Sequence, residues 1–316
     1  MTTVLNTWNC SFHNLGFVNT HRTFYKTRLS HGLRTDASGK FPEYEKGSGS
    51  NTACSNSFLG SPNKIGIIGG ASVVSTVNFL RKLAHWSKDG ESCPPFVVCS
   101  DPALSKELLL IERSSFPSPD PTKISRTELD PTSVVENLRS KRIYLENSGA
   151  RCIVMPCHIS HSWYDEISEG CSVPFLHMGE CVAKELKKAK LKPLEAGSHL
   201  RIGVLSTHAI LTAGFYQEKL QREGFEVVLP DKATMEHTII PAIEALNRKD
   251  IEGAQNLLRI ALLVLLVRAV NSIILASDDV RDLLPRDDLL LKKCVDPMDA
   301  LVWSTIKWAT SAEKGT

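Results

Sequence analysis

Two small nucleophilic side chains, Cys157 and Ser277, close two similar apolar runs. The runs are Arg151-Cys-Ile-Val-Met-Pro-Cys157 and Asn271-Ser-Ile-Ile-Leu-Ala-Ser277. A thiol can exchange a proton or attack a carbon, because its thiolate is reachable near neutral pH. A serine hydroxyl does so only when another group takes its proton. Upstream stands a second matched pair, Lys64-Ile-Gly-Ile-Ile-Gly-Gly70 and Arg201-Ile-Gly-Val-Leu-Ser-Thr207. The order "basic-Ile-Gly strand, then Cys or Ser strand" therefore occurs twice. An internal duplication of α/β lobes would set the thiol and the hydroxyl across one cleft, on either side of a ligand.

Neighbouring residues can assist this chemistry or serve structure alone. Cys157 is expected just past a strand, near the start of a helix, where amide N–H groups stabilise a thiolate. His158 and His161 follow closely and can tune it; His161 equally suits a local turn. A buried inert thiol is the alternative reading, and Cys152, which opens the strand, fits it better. Gly66, Gly69 and Gly70 make a glycine-rich strand-to-helix turn, whose N–H groups can hold a phosphate or a carboxylate. G-x-G-x-x-G and Walker A patterns are absent, so nicotinamide chemistry and phosphoryl transfer have no support. Ser277 precedes Asp278 and Asp279, a sequence that also suits a plain helix N-cap.

The elements that would position these residues alternate. Strands are expected over 64–69, 95–99, 152–156, 173–176, 201–206, 226–229 and 272–276. Helices are expected over 75–87, 133–149, 162–168, 179–190, 213–223, 235–247, 251–269 and 297–310. The first helix would bury Val77, Leu80, Leu83 and Ala84. A Pro-rich loop covers 116–131. Alternation predicts an α/β fold: two pseudo-symmetric Rossmann-like lobes with parallel sheets and an active-site cleft between them, at the carboxyl ends of the strands. Residues 61–195 plus 297–312 would form the N-terminal lobe and 200–296 the C-terminal lobe, with the last helix packing back on the first lobe.

Residues 1–60 are read as a transit peptide and disordered linker. The first forty hold five Lys/Arg, ten Ser/Thr and one acid, Asp36, an organelle-targeting composition. A chloroplast is expected, with a mitochondrion as the alternative. The whole chain of 316 residues carries a net charge of +2; without residues 1–40 it becomes −2. A nearly neutral body gives no electrostatic case for nucleic acid. Nine Cys occur without C-x-x-C or zinc-type spacing, which argues for mostly reduced thiols and no metal. The most apolar window, 257–275, is interrupted by Arg259, Arg268 and Asn271, and is expected to be a buried helix entering a strand rather than a membrane span.

Taken together, these segments resemble the aspartate/glutamate (Asp/Glu/hydantoin) racemase family over roughly 64–310, as a plant organellar member. Lys64–Gly70 resembles its opening strand and glycine turn. Met155-Pro-Cys157-His-Ile-Ser-His161 resembles its first cysteine box, usually Cys-Asn-Thr-Ala-His. Residues 202–207 and Gly214-Phe-Tyr-Gln-Glu-Lys-Leu220 resemble the start of its second lobe, and Val228-Leu-Pro-Asp231 its next strand end. Ile273–Asp279 sits where a second box, Gly-Cys-Thr-Glu, is expected, and residues 295–300 resemble the closing segment. The resemblance implies proton abstraction and return at Cα of aspartate or glutamate, with no cofactor and in a homodimer. It assigns Cys157 and Ser277 as acid/base residues. Gly70, Ser72, Ser100, His158, Ile159, Thr207 and Asp278 would bind substrate, with Lys106 as the cation for a side-chain carboxylate; a solvated helix position is the other reading of Lys106.

The chain departs from the pattern at several points. The second cysteine is Ser277, the Asn-Thr of the first box is His158-Ile159, and the Thr-Glu of the second is Asp278-Asp279. Ala71-Ser72-Val73 replaces the usual Met-Gly-Pro, and Ile210 stands where a Thr often holds the carboxylate. Three functions fit these residues: a racemase-like isomerase, a single-Cys decarboxylase or cis–trans isomerase on a small dicarboxylate, and a catalytically degenerate small-carboxylate-binding protein.

Overall fold

A computed structural model describes residues 61–70, 73–87, 93–114, 131–194, 198–277, 280 and 282–314. The targeting reading, Ser72, Asp278 and the Pro-rich loop beyond residue 114 lie outside the described residues. Seven strands form two parallel sheets. The first has the order β2-β1-β3, from β1 (Ile65–Ile68), β2 (Phe96–Cys99) and β3 (Cys152–Val154). The second has the order β5-β4-β6-β7, from β4 (Arg201–Leu205), β5 (Glu226–Val228), β6 (Ser272–Leu275) and β7 (Cys294–Val295).

The two sheets share one plan. Ile65 is in register with Cys152, and Ile202 with Ser272, so Cys157 and Ser277 each stand five residues beyond equivalent positions. The repeated "basic-Ile-Gly" opening has a physical basis. Lys64 Nζ donates to Ser148 O at 3.2 Å, the C-cap carbonyl of the helix before β3. Arg201 Nη1 donates to Arg268 O at 2.6 Å, the C-cap carbonyl of the helix before β6. A cation at a helix C-terminus meets unsatisfied carbonyls and the negative end of the dipole. The glycines that follow admit those helices closely. A Cβ on Gly66 would lie 2.7 Å from Ile153 and 3.0 Å from Leu145, and one on Gly203 would lie 3.2 Å from Ile273 and 3.5 Å from Leu265.

Helices connect the strands. In the first half they are α1 (Val73–Trp86), α2 (Pro102–Ser114), α3 (Thr132–Asn147), a 3₁₀ turn (Ile159–Trp163), α4 (Tyr164–Ser168) and α5 (Met178–Lys188). In the second half they are α6 (His208–Ala213), α7 (Phe215–Arg222), α8 (Lys232–Thr234), a π turn (Met235–Ile239), α9 (Ile240–Asn247) and α10 (Ile251–Val267). A 3₁₀ turn over Leu289–Lys293 precedes β7, and α11 (Pro297–Lys314) closes the chain. It packs against α5 and α1. Lys82 of α1 binds Asp296 at 2.9 Å and also pairs with Asp299, and Trp86 meets Trp303 edge to face at 4.5 Å.

Several expectations need correction. Residues 102–114, to which the sequence reading assigns no element, form helix α2: Asp101 Oδ1 accepts from Ala103 N at 2.9 Å, and Pro102 opens the helix. The expected helix over 213–223 is α7, and a further helix, α6, precedes it; Gly214 takes φ +73° and separates the two in the left-handed conformation that glycine favours. Residues 173–176 are no strand but a single bridge, Ile153 to Phe175. It lies where β7 joins β6 in the other half, since Ile153 and Ile273 are equivalent. In α1 the buried face is Thr76, Phe79 and Leu83, while Val77 is 56% exposed. Phe79 and Leu83 are wholly shielded from solvent and set the rotation of the helix.

The apolar window 257–275 is α10 entering β6, as its polar residues foretell. Arg259 pairs with Asp288 at 2.8 Å, Arg268 donates to Leu229 O, and Asn271 Oδ1 accepts from Arg201 N. Among the described residues no helix is long and apolar enough to cross a membrane.

Candidate functional site

Parallel strands bring their carboxyl ends to one edge, and the close approaches there are between residues singled out above. Gly69 follows β1 and Ser100 follows β2; a Cβ on Gly69 would lie 2.6 Å from Ser100 Cβ and Oγ. A Cβ on Gly70 would overlap Cys157 Cβ and lie 2.5 Å from Sγ. Glycine is therefore required at 70 by contact with the thiol-bearing residue, with no unusual φ involved. Ser105 of α2 fixes this turn by donating to Gly70 O at 2.8 Å. Gly70, Ser100 and Cys157 are thus brought together at one sheet edge. Cys157 is 2% exposed, and His158 and Ile159 beside it are buried.

The second sheet offers the equivalent edge. Ser206 Oγ donates to Ala276 O, locking the end of β4 to the end of β6. Thr207 and Ser277 follow, both buried. Ser277 Oγ is out of contact with water and has no hydrogen-bond partner among the described residues; it forms no cap bond there. Helix α6, which Thr207 opens, packs against the 3₁₀ turn after Cys157 and against α2. His158 Nδ1 lies 2.9 Å from Tyr216 Oη of α7, a fully buried hydrogen bond from one half to the other. The halves also meet through ion pairs of α5 with α7, Glu180 to Lys219 at 3.2 Å and Lys187 to Glu223 at 2.6 Å.

Two other histidines support this edge without titrating near neutrality. His161 Nε2–H donates to Met155 O at 2.9 Å, holding the Met155-Pro156-Cys157 turn. Burial pulls its pKa down to about 3. His177 Nδ1 accepts from Gly179 N at 3.0 Å and Glu180 N at 3.4 Å, capping α5. Burial, then the neighbouring His161, lowers its pKa to about 2. The two rings pack against each other and against Tyr164 and Phe215 at 4.5–6.0 Å between centroids, His161 stacked on Tyr164 and His177 edge-on to Tyr164 and Phe215. His161 thus serves the local turn. Cys152, wholly buried in β3, has its pKa raised far above the usual thiol value by desolvation, which leaves it a protonated core residue.

Lys106 lies exposed on α2. Among the described residues, Lys141 of α3 is a cation buried near the strand ends, 6% exposed, with no hydrogen-bond partner for Nζ. Burial lowers its pKa, against the opposing charge of nearby Asp101. The sequence carries a signal for it: Val134, Leu138, Lys141 and Leu145 all lie on the buried face of α3, at helical spacing. Ser105 and Tyr216 carry no comparable signal. Open grooves on the described surface are lined by other residues, one by Trp303, Ile306 and Lys307 among others, another by Glu180, Lys219 and Arg222 among others. Among the described residues no group of three or more His, Cys, Asp or Glu could hold a metal ion.

Known proteins resemble this chain in sequence and fold. The broad specificity amino-acid racemase RacX of Bacillus subtilis (strain 168) is 33% identical over 89 residues, which is 28% of this chain and 35% of that protein. The match thus spans about a third of that curated relative's length. The aspartate racemase of Picrophilus torridus superposes with a TM-score of 0.56 at 24% identity, covering 78% of this chain and 94% of that one. An aspartate racemase homologue from Pyrococcus horikoshii OT3 gives 0.59 at 20% identity, covering 78% and 99%. At such identities the likeness is one of fold. The profile of the Asp/Glu/hydantoin racemase family matches residues 65–305, from β1 into α11, and the chain belongs to that family.

Proposed function

We propose that this protein is a cofactor-independent isomerase of the racemase type, acting at Cα of an acidic amino acid, aspartate or glutamate. Cys157 is one acid/base and Ser277 occupies the place of the other. The observation that carries this reading is the pairing of Gly70 against Cys157 at one strand end, with the buried hydroxyl of Ser277, unpartnered among the described residues, at the equivalent end of the other sheet. An α-proton is a very weak acid, so its base must be held within hydrogen-bond reach. The negative charge that develops needs fixed donors in a site closed to water. The glycine turn after β1, Ser100, His158 and Thr207 are the groups placed to supply them. Solvent barely reaches Cys157 or Ser277, so entry of a substrate requires the edge to open. The basic leader directs the protein to a plastid, and the active form is a homodimer.

The test is exchange of solvent deuterium into Cα of aspartate and glutamate. Wild type should exchange, and Cys157→Ala should lose roughly 100-fold or more. Equal exchange by a folded Cys157→Ala protein would sink the proposal. Ser277→Cys should raise two-way racemisation, because a thiol is far more acidic than a hydroxyl.

A second reading, one-sided protonation of a small dicarboxylate or its decarboxylation, is favoured by one observation. Among the described residues no group accepts the Ser277 proton. Exchange that retains configuration, unchanged by Ser277→Ala, would select it.

A further inference from the structure

An acidic substrate, which the proposed function entails, brings a second carboxylate that needs a cation. Lys106 stands exposed on α2. Another lysine approaches the strand ends from within. Helix α3 leads into β3 and packs on β1 and β2. A helix between parallel strands runs antiparallel to them, so the start of α3 lies at their carboxyl edge. Side chains on a helix lean toward its N-terminus. Asn137 marks the level of that edge, because its Nδ2 donates to Asp101 Oδ2 at 3.1 Å. Lys141 sits one turn further along and leans back toward it.

The Lys141 ammonium is removed from water and lacks a hydrogen-bond partner among the described residues. Its electrostatic neighbours include Asp101 and Cys99, which flank Ser100, and Ser100 packs on the glycine turn. Asp101 is already held by Asn137 Nδ2 and Ala103 N. An ammonium buried without a partner is among the more destabilising arrangements in a core, and a carboxylate delivered by a ligand would relieve it. We infer that Lys141, rather than Lys106, holds the distal carboxylate of the substrate and so selects aspartate or glutamate over their amides.

Calorimetric binding of aspartate and of asparagine to the full chain tests this without needing turnover. Wild type should prefer aspartate by about tenfold or more, the worth of one charge-assisted hydrogen bond. Lys141→Met should bring the two dissociation constants together, and Lys106→Met should leave the preference intact. Met fills the same volume, so the variant should fold; Lys141→Gln gives the same comparison should it not. A preserved preference in the Lys141 variants, its loss in Lys106→Met, or no preference in wild type would overturn the assignment. Failure of the isomerase reading shows separately, as absence of Cα exchange in wild type.

Discussion

Gly70 and Cys157 define the site at the scale of single residues. A Cβ at 70 would occupy the space of the Cys157 side chain, and the Ser105 hydroxyl holds the Gly70 carbonyl in place. Gly70→Ala is therefore expected to destabilise by about 1–3 kcal/mol, the usual result of overpacking, and to abolish Cα exchange. Denaturant unfolding and the deuterium assay check both. The buried histidines make a second prediction at this scale. Both have folded-state pKa values far below the ordinary 6.5, so the unfolded chain binds more protons than the native one below about pH 6.5. Stability is then fully present above that pH and falls as pH drops. The limiting slope is about 1.4 kcal/mol per pH unit for each histidine. Melting temperatures between pH 7 and 5 should show the fall, and His161→Gln or His177→Asn should flatten it. An equal slope in both variants would contradict the assignment.

At the scale of elements, the repeated opening predicts an asymmetry. Gly66 is crossed more tightly by α3 than Gly203 is by α10, so Gly66→Ala should lower stability more than Gly203→Ala, by about 1 kcal/mol or more. Equal losses in denaturant titrations would show that the tighter crossing relaxes at no cost. The same comparison explains what the sequence discloses. Central strands were legible because four or five apolar residues in a row, buried on both faces, admit few other readings. The two nucleophile positions were legible because they end such strands. Helix α2 escaped notice although Asp101 and Pro102 are helix-start residues; Pro after a strand also reads as a turn. Strand β7 has two residues, too few for any period. Lys141 escaped because lysine is taken as solvated, and its burial depends on where α3 meets β1 and β2. Tyr216 reaches His158 only through the meeting of the two halves, which no local pattern encodes.

At the scale of the whole molecule, the chain builds the first sheet, leaves it for the second, and returns as α11 to cover α5 and α1. The first half therefore cannot complete its core until the second is made. Contacts between the halves include the His158–Tyr216 hydrogen bond, the α5–α7 ion pairs, and one continuous core in which Cys157, Ile202, Tyr216, Ala276 and Leu301 all take part. Such coupling predicts a single unfolding transition. With Trp8 replaced by Phe the chain offers a direct readout, because the other four of its five tryptophans, Trp86, Trp163, Trp303 and Trp308, lie in α1, in the turn after Cys157 and in α11, and none lies between β4 and β7. Tryptophan fluorescence thus follows the first half with its returning helix, while far-UV circular dichroism follows both. The two melting curves should coincide. Truncation after Asp296 should leave no native fluorescence, since α11 contributes Met298, Leu301, Val302 and Ile306 to the core. Midpoints separated by several degrees, or a truncated protein that still melts cooperatively, would mean that the halves fold independently. Closure of the site would then be a docking of finished lobes rather than a property of one core.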